Sequence, residues 1–195
     1  VCMGPPQAFE VIKQCISYGA DRGILLSDRA FAGSDTWATS YTIGLALRRL
    51  RDEDGIDMVL CGKQAIDGDT GQVGPGIANQ LGIPQLTYVS RVRLCDPAAR
   101  RIVVERLLEE GHEVVASALP ALLTVMKDIN VPRYPSLRGL RAARRAEIPV
   151  WTPADLPGCD VSLIGLDGSP TRVVRVYSPP AREERAVVWD GNDPQ

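Results

Sequence analysis

The chain has 195 residues, 45% hydrophobic and 24% charged, the balance of a folded domain rather than a disordered chain or a fibre. Lys and Arg number 22 against 24 Asp and Glu, a formal net charge of −2 and a pI near 5.5, so bulk charge gives no hold on a nucleic acid. No apolar run reaches the roughly 20 residues that cross a bilayer, and no charged-then-apolar signal pattern follows Val1.

Val1-Cys2-Met3 reads as the end of a strand entering a Gly4-Pro5-Pro6 turn. A domain seldom begins at the end of a strand, so the sequence is expected to continue upstream. Residues 7–18 put Phe9, Val11, Ile12, Cys15 and Ile16 on one helical face, with Gly19 at its end. Residues 23–27 are a short apolar run suited to a buried strand. Ser34 or Asp35 can cap the next helix, whose apolar face runs through Tyr41, Ile43, Leu45, Leu47 and Leu50. Residues 57–62 read as a strand ending in Gly62, residues 63–70 as a Gly- and Asp-rich loop, and residues 72–81 as a helix. This alternation predicts an α/β fold with a mostly parallel, doubly wound sheet and helices on both faces.

Beyond Gly82 the pattern changes. Residues 86–94, 101–107, 113–117 and 121–125 read as strands at hairpin spacing, with Asp96-Pro97 and Glu110-Gly111 as turns, which adds antiparallel strands beside the parallel ones. Residues 131–137 hold Pro132 and Pro135 and read as an extended loop, and residues 138–145 as a short basic helix. From about residue 147 a Pro- and Gly-rich extended arm carries one expected strand over 172–177. The domain is drawn over 1–180, with 181–195 as a tail.

The five cysteines, Cys2, Cys15, Cys61, Cys95 and Cys159, form no C-x-x-C pair, and with His112 the lone histidine no zinc set can be assembled. They read as reduced thiols in a cytoplasmic protein. His112 reads as solvated, and Trp37, Trp151 and Trp189 as core or interface packing. With one histidine, no Ser/His/Asp or Cys/His constellation can be drawn.

The chemistry is expected where residues 62–75 leave the carboxyl end of a parallel strand and enter a helix, the place where open α/β sheets bind ligands. The helix's first N–H groups are unpaired and lie at its positive dipole end, which suits phosphate oxygens. Gly68, Gly71 and Gly74 would admit a ligand close to the backbone, and Thr70 and Gln72 add donors. Asp67 and Asp69 fit a helix cap or a ribose or base better than a phosphate. A turn followed by a capped helix would explain the spacing equally well. Neither G-x-x-x-x-G-K-[ST] nor G-x-G-x-x-G is present.

The run Gly62-Lys63-Gln64-Ala65-Ile66-Asp67-Gly68-Asp69-Thr70, then Gln72-Val73-Gly74-Pro75, closely resembles the signature of the electron transfer flavoprotein beta subunit. Gly19-Ala20-Asp21-Arg22-Gly23, Leu119-Pro120-Ala121-Leu122-Leu123 and Asn130-Val131-Pro132-Arg133-Tyr134-Pro135-Ser136-Leu137 extend the resemblance in order, over about residues 1–180. It implies an adenine nucleotide alpha hydrolase-like fold, a heterodimer with an alpha subunit, and FAD shared with or bound beside that subunit. It implies electron transfer to acyl-CoA dehydrogenase-like or other flavoprotein or ferredoxin partners, by a carrier subunit rather than an enzyme. In ordinary members the beta-subunit site holds AMP; in electron-bifurcating members it holds a second FAD. Asp67-Gly68-Asp69-Thr70 with Val73-Gly74-Pro75, and Pro135-Ser136-Leu137-Arg138-Gly139, look like the bifurcating form.

By the same resemblance Met3, Gly62, Lys63, Gln64, Ala65, Ile66, Asp67, Gly68, Asp69, Thr70, Gln72 and Val73 contact the nucleotide. Arg133, Tyr134, Leu137, Arg138 and Arg141 belong to a partner-docking loop over 133–141, with Leu137 as its exposed apolar anchor. The family carries a first strand, a first helix and part of the adenine surface ahead of Val1. Two other readings stay open: a non-redox module that senses AMP or ATP, and, with no base or phosphate clamp in view, a phosphoryl or adenylyl transferase. The docking segment favours the redox carrier.

Overall fold

The fold is given by a computed structural model that describes residues 1–178 and 180. The chain opens with strand β1 (Cys2–Met3), whose exit is a single 3-10 turn over Pro6–Ala8. Helix α1 (Phe9–Ser17) follows, two residues later than its periodicity predicts, because Pro6 suits the start of a tight turn. Its Ile12 and Ile16 pack on Leu25 of strand β2 (Leu25–Leu26) and on Ala143. Helix α2 (Thr36–Asp54) is capped by Asp35 rather than Ser34, the carboxylate accepting from the N–H groups of Trp37 and Ala38 at 2.9 and 3.1 Å.

Strand β3 (Met58–Gly62), helix α3 (Val73–Leu81) and strand β4 (Gln85–Asp96) come next. Strands β5 (Arg101–Leu108) and β6 (Gly111–Ala118) form an antiparallel hairpin, and β7 (Ala121–Val125) returns to the sheet. Helix α4 (Leu137–Arg145) and strand β8 (Val150–Trp151) complete the regular elements.

The expected mixture of parallel and antiparallel pairing is present, but the single doubly wound sheet is not. Among the described residues there are two sheets, β1-β2-β8, wholly parallel, and β3-β7-β4-β5-β6, in which β3, β7 and β4 are parallel and the rest antiparallel. One sheet would need an edge strand of one set to pair, directly or through another strand, with an edge strand of the other. Among the described residues β1 pairs only with β2, and β3 only with β7. Helix α2 joins the two halves by packing: Leu45 and Ala46 meet Ile24 and Leu26, while Leu47 meets Val59, Ile77 and Leu122. Strand β7 lies between β3 and β4 and buries residues on both faces. Leu122 points to α3, and Ala121 and Leu123 point to Ile102 and Val104 of the hairpin.

The arm differs from its expected form. Residues 172–177 make no strand; Val173, Val174 and Val176 stand exposed, with no ladder partner among the described residues. The strand is instead β8, parallel to β2, with Trp151 buried beneath the Arg49 guanidinium, 4.1 Å from the ring centroid. The arm then runs back along α2. Arg49 donates to the Asp155 carbonyl at 2.7 Å, the Asp160 N–H donates to the Tyr41 hydroxyl at 2.9 Å, and Thr171 donates from N–H and hydroxyl to Asp35 at 3.0 and 2.8 Å. Trp37 is not in the core: it is partly exposed and stacks on Tyr41, centroids 5.8 Å apart. Trp189 and the tail over 181–195 lie outside the described residues.

Candidate functional site

Strand β3 delivers the chain to the loop. The Lys63 N–H donates to the Val125 carbonyl at 3.2 Å, one rung beyond the β3–β7 ladder. The Asp69 N–H then closes a turn onto the Ala65 carbonyl at 3.0 Å, with Asp69 itself in the left-handed region at φ +52°, and the Gln64 amide donates to the Asp69 carboxylate. Gly71 is also left-handed, at φ +63°, which a side chain would resist. Gln64, Ala65, Ile66, Asp67, Gly68, Asp69 and Thr70 are all exposed, and Ile66 is 98% exposed. The loop is thus an ordered open surface held at both ends.

Helix α3 starts behind this surface with no side-chain cap. Gln72 occupies the capping position, but its amide oxygen accepts from the Thr36 hydroxyl of α2 at 2.9 Å. Its amide NH2 therefore stays available to a ligand. Neither Asp67 nor Asp69 caps α3, so the capped-turn reading of this segment does not hold. The N–H groups of Val73 and Gly74 are left at the positive end of the helix.

The three glycines divide. A Cβ on Gly68 would meet nothing within 4 Å, so that position borders open space. A Cβ on Gly74 would lie 2.5 Å from Thr124 Cγ2 and 2.9 Å from Cys61 Sγ. Gly74 therefore turns its Cα to the sheet and allows α3 to pack on β3 and β7, which leaves only its N–H on the ligand side. Burial pushes the Cys61 thiol up, which keeps it protonated at neutral pH against the Leu123 carbonyl, 3.7 Å away.

Met3 stands apart from the loop, in a cleft of about 700 Å³ at the carboxyl ends of β1 and β2. Asp28, Arg29 and Phe31, which the sequence did not single out, line the same cleft with Ser34, which reads in the sequence only as a cap. The signal for them was the one used for residues 62–75, polar residues directly after a parallel strand. The first turns of α2 touch both places: Thr39 lines the cleft and Thr36 holds Gln72. The uncapped N–H groups and the Lys63 ammonium offer donors to an anion at the loop, while the cleft, set apart from them, has walls of mixed polarity.

The residues expected to take part in docking lie elsewhere. Residues 131–136 are extended, but Leu137 is the first residue of α4, not the end of the loop, because the Ser136 hydroxyl accepts from the Gly139 N–H at 3.0 Å and caps the helix. Arg138 and Arg141 accordingly sit on α4, while Arg133 and Tyr134 remain in the extended segment. Leu137 is 86% and Tyr134 97% exposed. Arg133, Arg138 and Arg145 line a cleft of about 760 Å³ between α4 and the end of α1. Among the described residues none of Arg133, Arg138, Arg141, Arg144 and Arg145 has a carboxylate within 4.0 Å. His112 is solvated, as expected, 3.8 Å from Glu105. No helix of the described residues is long and apolar enough to cross a membrane.

Parallel strands, an uncapped helix at their carboxyl edge and a separate basic helix define an α/β protein with backbone donors gathered at one place and arginines at another. Comparison with known proteins makes the class specific. Residues 1–156 match the electron transfer flavoprotein domain, and the chain belongs to that family. It is 48% identical over 187 residues to Protein FixA of Bradyrhizobium diazoefficiens, covering 95% of this chain and 65% of that protein. It is 46% identical over 180 residues to the Caffeyl-CoA reductase-Etf complex subunit CarD of Acetobacterium woodii, covering 92% of this chain and 66% of that protein. It is 46% identical over 196 residues to the Electron transfer flavoprotein subunit beta of Megasphaera elsdenii, covering 98% and 71%. The chain thus spans about two thirds of the length of these relatives.

Proposed function

We propose that the chain works as the beta subunit of an electron transfer flavoprotein. With an alpha subunit it would carry electrons by way of FAD from dehydrogenases to flavoprotein or ferredoxin partners, in the cytoplasm, where its five free thiols are at home. The observation that carries this reading is the uncapped start of α3 behind the open loop, in a chain of this family. FAD, when bound, supplies the redox chemistry. The protein's part is to bind and orient: Val73 and Gly74 N–H groups, the Lys63 ammonium, the Thr70 hydroxyl and the Gln72 amide would hold phosphate oxygens. Asp67 and Asp69 would accept from ribose hydroxyls. Met3 would meet the adenosine end in its cleft, and the fold would be of the adenine nucleotide alpha hydrolase-like kind.

The forms of residues 67–70 and 73–75 support FAD in this site and electron bifurcation; AMP there would make a carrier with a single flavin. Leu137 and the α4 arginines support docking of an acidic redox partner, and this surface favours the carrier over a nucleotide-sensing module. Val92, Leu94 and Val114, each about half exposed on β4 and β6, suit burial against the alpha subunit. Co-expression of the full-length protein with its alpha subunit tests the reading. The expected product is a stoichiometric yellow pair with flavin absorbance, and the beta chain alone should self-associate or melt early. A colourless pair, or a beta monomer that ignores the alpha subunit in size-exclusion chromatography, would overturn it.

A further inference from the structure

Tyr88 breaks a backbone rule inside a strand. It has φ +58°, a region that bulky residues rarely occupy and that persists only where the surroundings enforce it. Here they enforce it from two sides. The β4–β7 register shifts between Leu86 and Val89, so β4 bulges at residues 87–88. The Tyr88 N–H donates to the hydroxyl of buried Thr124 at 3.0 Å. The neighbouring Thr87 is gripped by Arg106, which donates to its carbonyl at 2.7 Å and its hydroxyl at 2.8 Å.

The bulge re-aims the ring. It brings Tyr88 beneath the Lys63 ammonium, 5.3 Å from Nζ to the ring centroid. Lys63 is the one cation of residues 62–73, which also carry Asp67 and Asp69. Among the described residues it has no carboxylate within 4.0 Å. An ion pair would hold the ammonium but neutralise it and use its donors. An aromatic face holds it while leaving its charge and its N–H groups free for an anion.

We infer that Tyr88 is a positioning residue for the nucleotide site: the strained bulge in β4 sets its ring under Lys63 so that the ammonium meets ligand phosphate. The inference rests on the nucleotide reading of residues 62–73. AMP is the probe, because AMP and FAD share an adenosine with its first phosphate. It is titrated calorimetrically into the nucleotide-free full-length heterodimer, with melting followed in parallel.

Tyr88→Gly should weaken AMP about two- to fivefold, the worth of one exposed cation–π contact. Its melting temperature should hold or rise, since Gly adopts this φ without strain. Tyr88→Phe, which keeps the ring, should restore the affinity. Lys63→Gln should weaken AMP, and adding Tyr88→Gly to it should cost nothing further. Wild-type affinity in Tyr88→Gly, failure of Tyr88→Phe to restore it, or an equal loss in the Lys63→Gln background would overturn the inference. If Gly68→Val still abolished AMP binding in that case, the nucleotide reading would stand alone. A wild-type heterodimer that takes up no AMP would overturn both.

Discussion

Leu137→Ala separates docking from every other role of the chain. Leu137 is 86% exposed, so it contributes little to the fold and nearly all of its side chain is available for burial in a partner. Fully burying a Leu contributes about 1.5–3 kcal/mol, and a central interface anchor falls in the same range. Losing most of that contact should slow partner reduction roughly ten- to a hundredfold at sub-saturating partner, since about 1.4 kcal/mol is one decade. The helix should not suffer, because Ala is the best helix former and the Ser136 cap is retained. The assay is stopped-flow reoxidation of the reduced heterodimer's flavin by its partner, wild type beside variant, with flavin content and melting temperature measured on the same samples. Raising the salt should slow the wild type as well, because the unpaired arginines of α4 would steer an acidic partner. Equal rates, or a loss that merely follows lost flavin, would refute the docking reasoning.

Two further outcomes follow from contacts within the chain. Gly74→Val should lower the melting temperature and destabilise the protein by about 1–3 kcal/mol or more, because its new atoms must displace Thr124 and Cys61; a wild-type melt would contradict the packing role. Partial burial pushes the Asp35 carboxyl up, but the bonds it accepts from Ala38, Thr171 and Trp37 outweigh that and hold it below the usual carboxylate range. A depressed pKa stabilises fully above the unfolded value, about 3.9, and that stabilisation is lost as pH falls through the folded value. Protection factors at Trp37, Ala38 and Thr171, referred to the intrinsic exchange rate at each pH, should therefore be unchanged down to about pH 5 and fall in more acidic buffer; uniform protection factors across that range would count against this role of Asp35.

Much of this was readable in the sequence where local chemistry and tertiary structure agree. Asp35 caps α2, the run into Gly62 is a strand, and the hairpin of β5 and β6 follows its turn signal at Glu110-Gly111. The misses come from what a neighbour decides. Val150–Trp151 is too short to display a strand period, and only its fit beside β2 makes it one. Residues 172–177 have a strand's valine-rich composition but find no edge among the described residues to pair with. Gly74 carries the same letter as Gly68, and only the third dimension shows that it faces Thr124 rather than open space. Pro132 and Pro135 carried the extended reading one residue too far, through Leu137, because the Ser136 cap shows itself only once its hydroxyl meets the Gly139 N–H. Tyr88 gave no signal at all, since an aromatic residue in a strand is the ordinary expectation and its positive φ is imposed by Thr124 and the register shift.

A nucleotide site on residues 62–73 would declare itself in the nucleotide extracted from the purified full-length heterodimer, wild type beside Gly68→Val. Gly68 has no positive φ, and a Cβ there meets no protein atom within 4 Å, so the fold is indifferent to the change while a ligand lying against it is not. The variant pair should assemble and melt like the wild type but lack the AMP or second FAD of its beta subunit. Wild-type nucleotide content in that variant would contradict it.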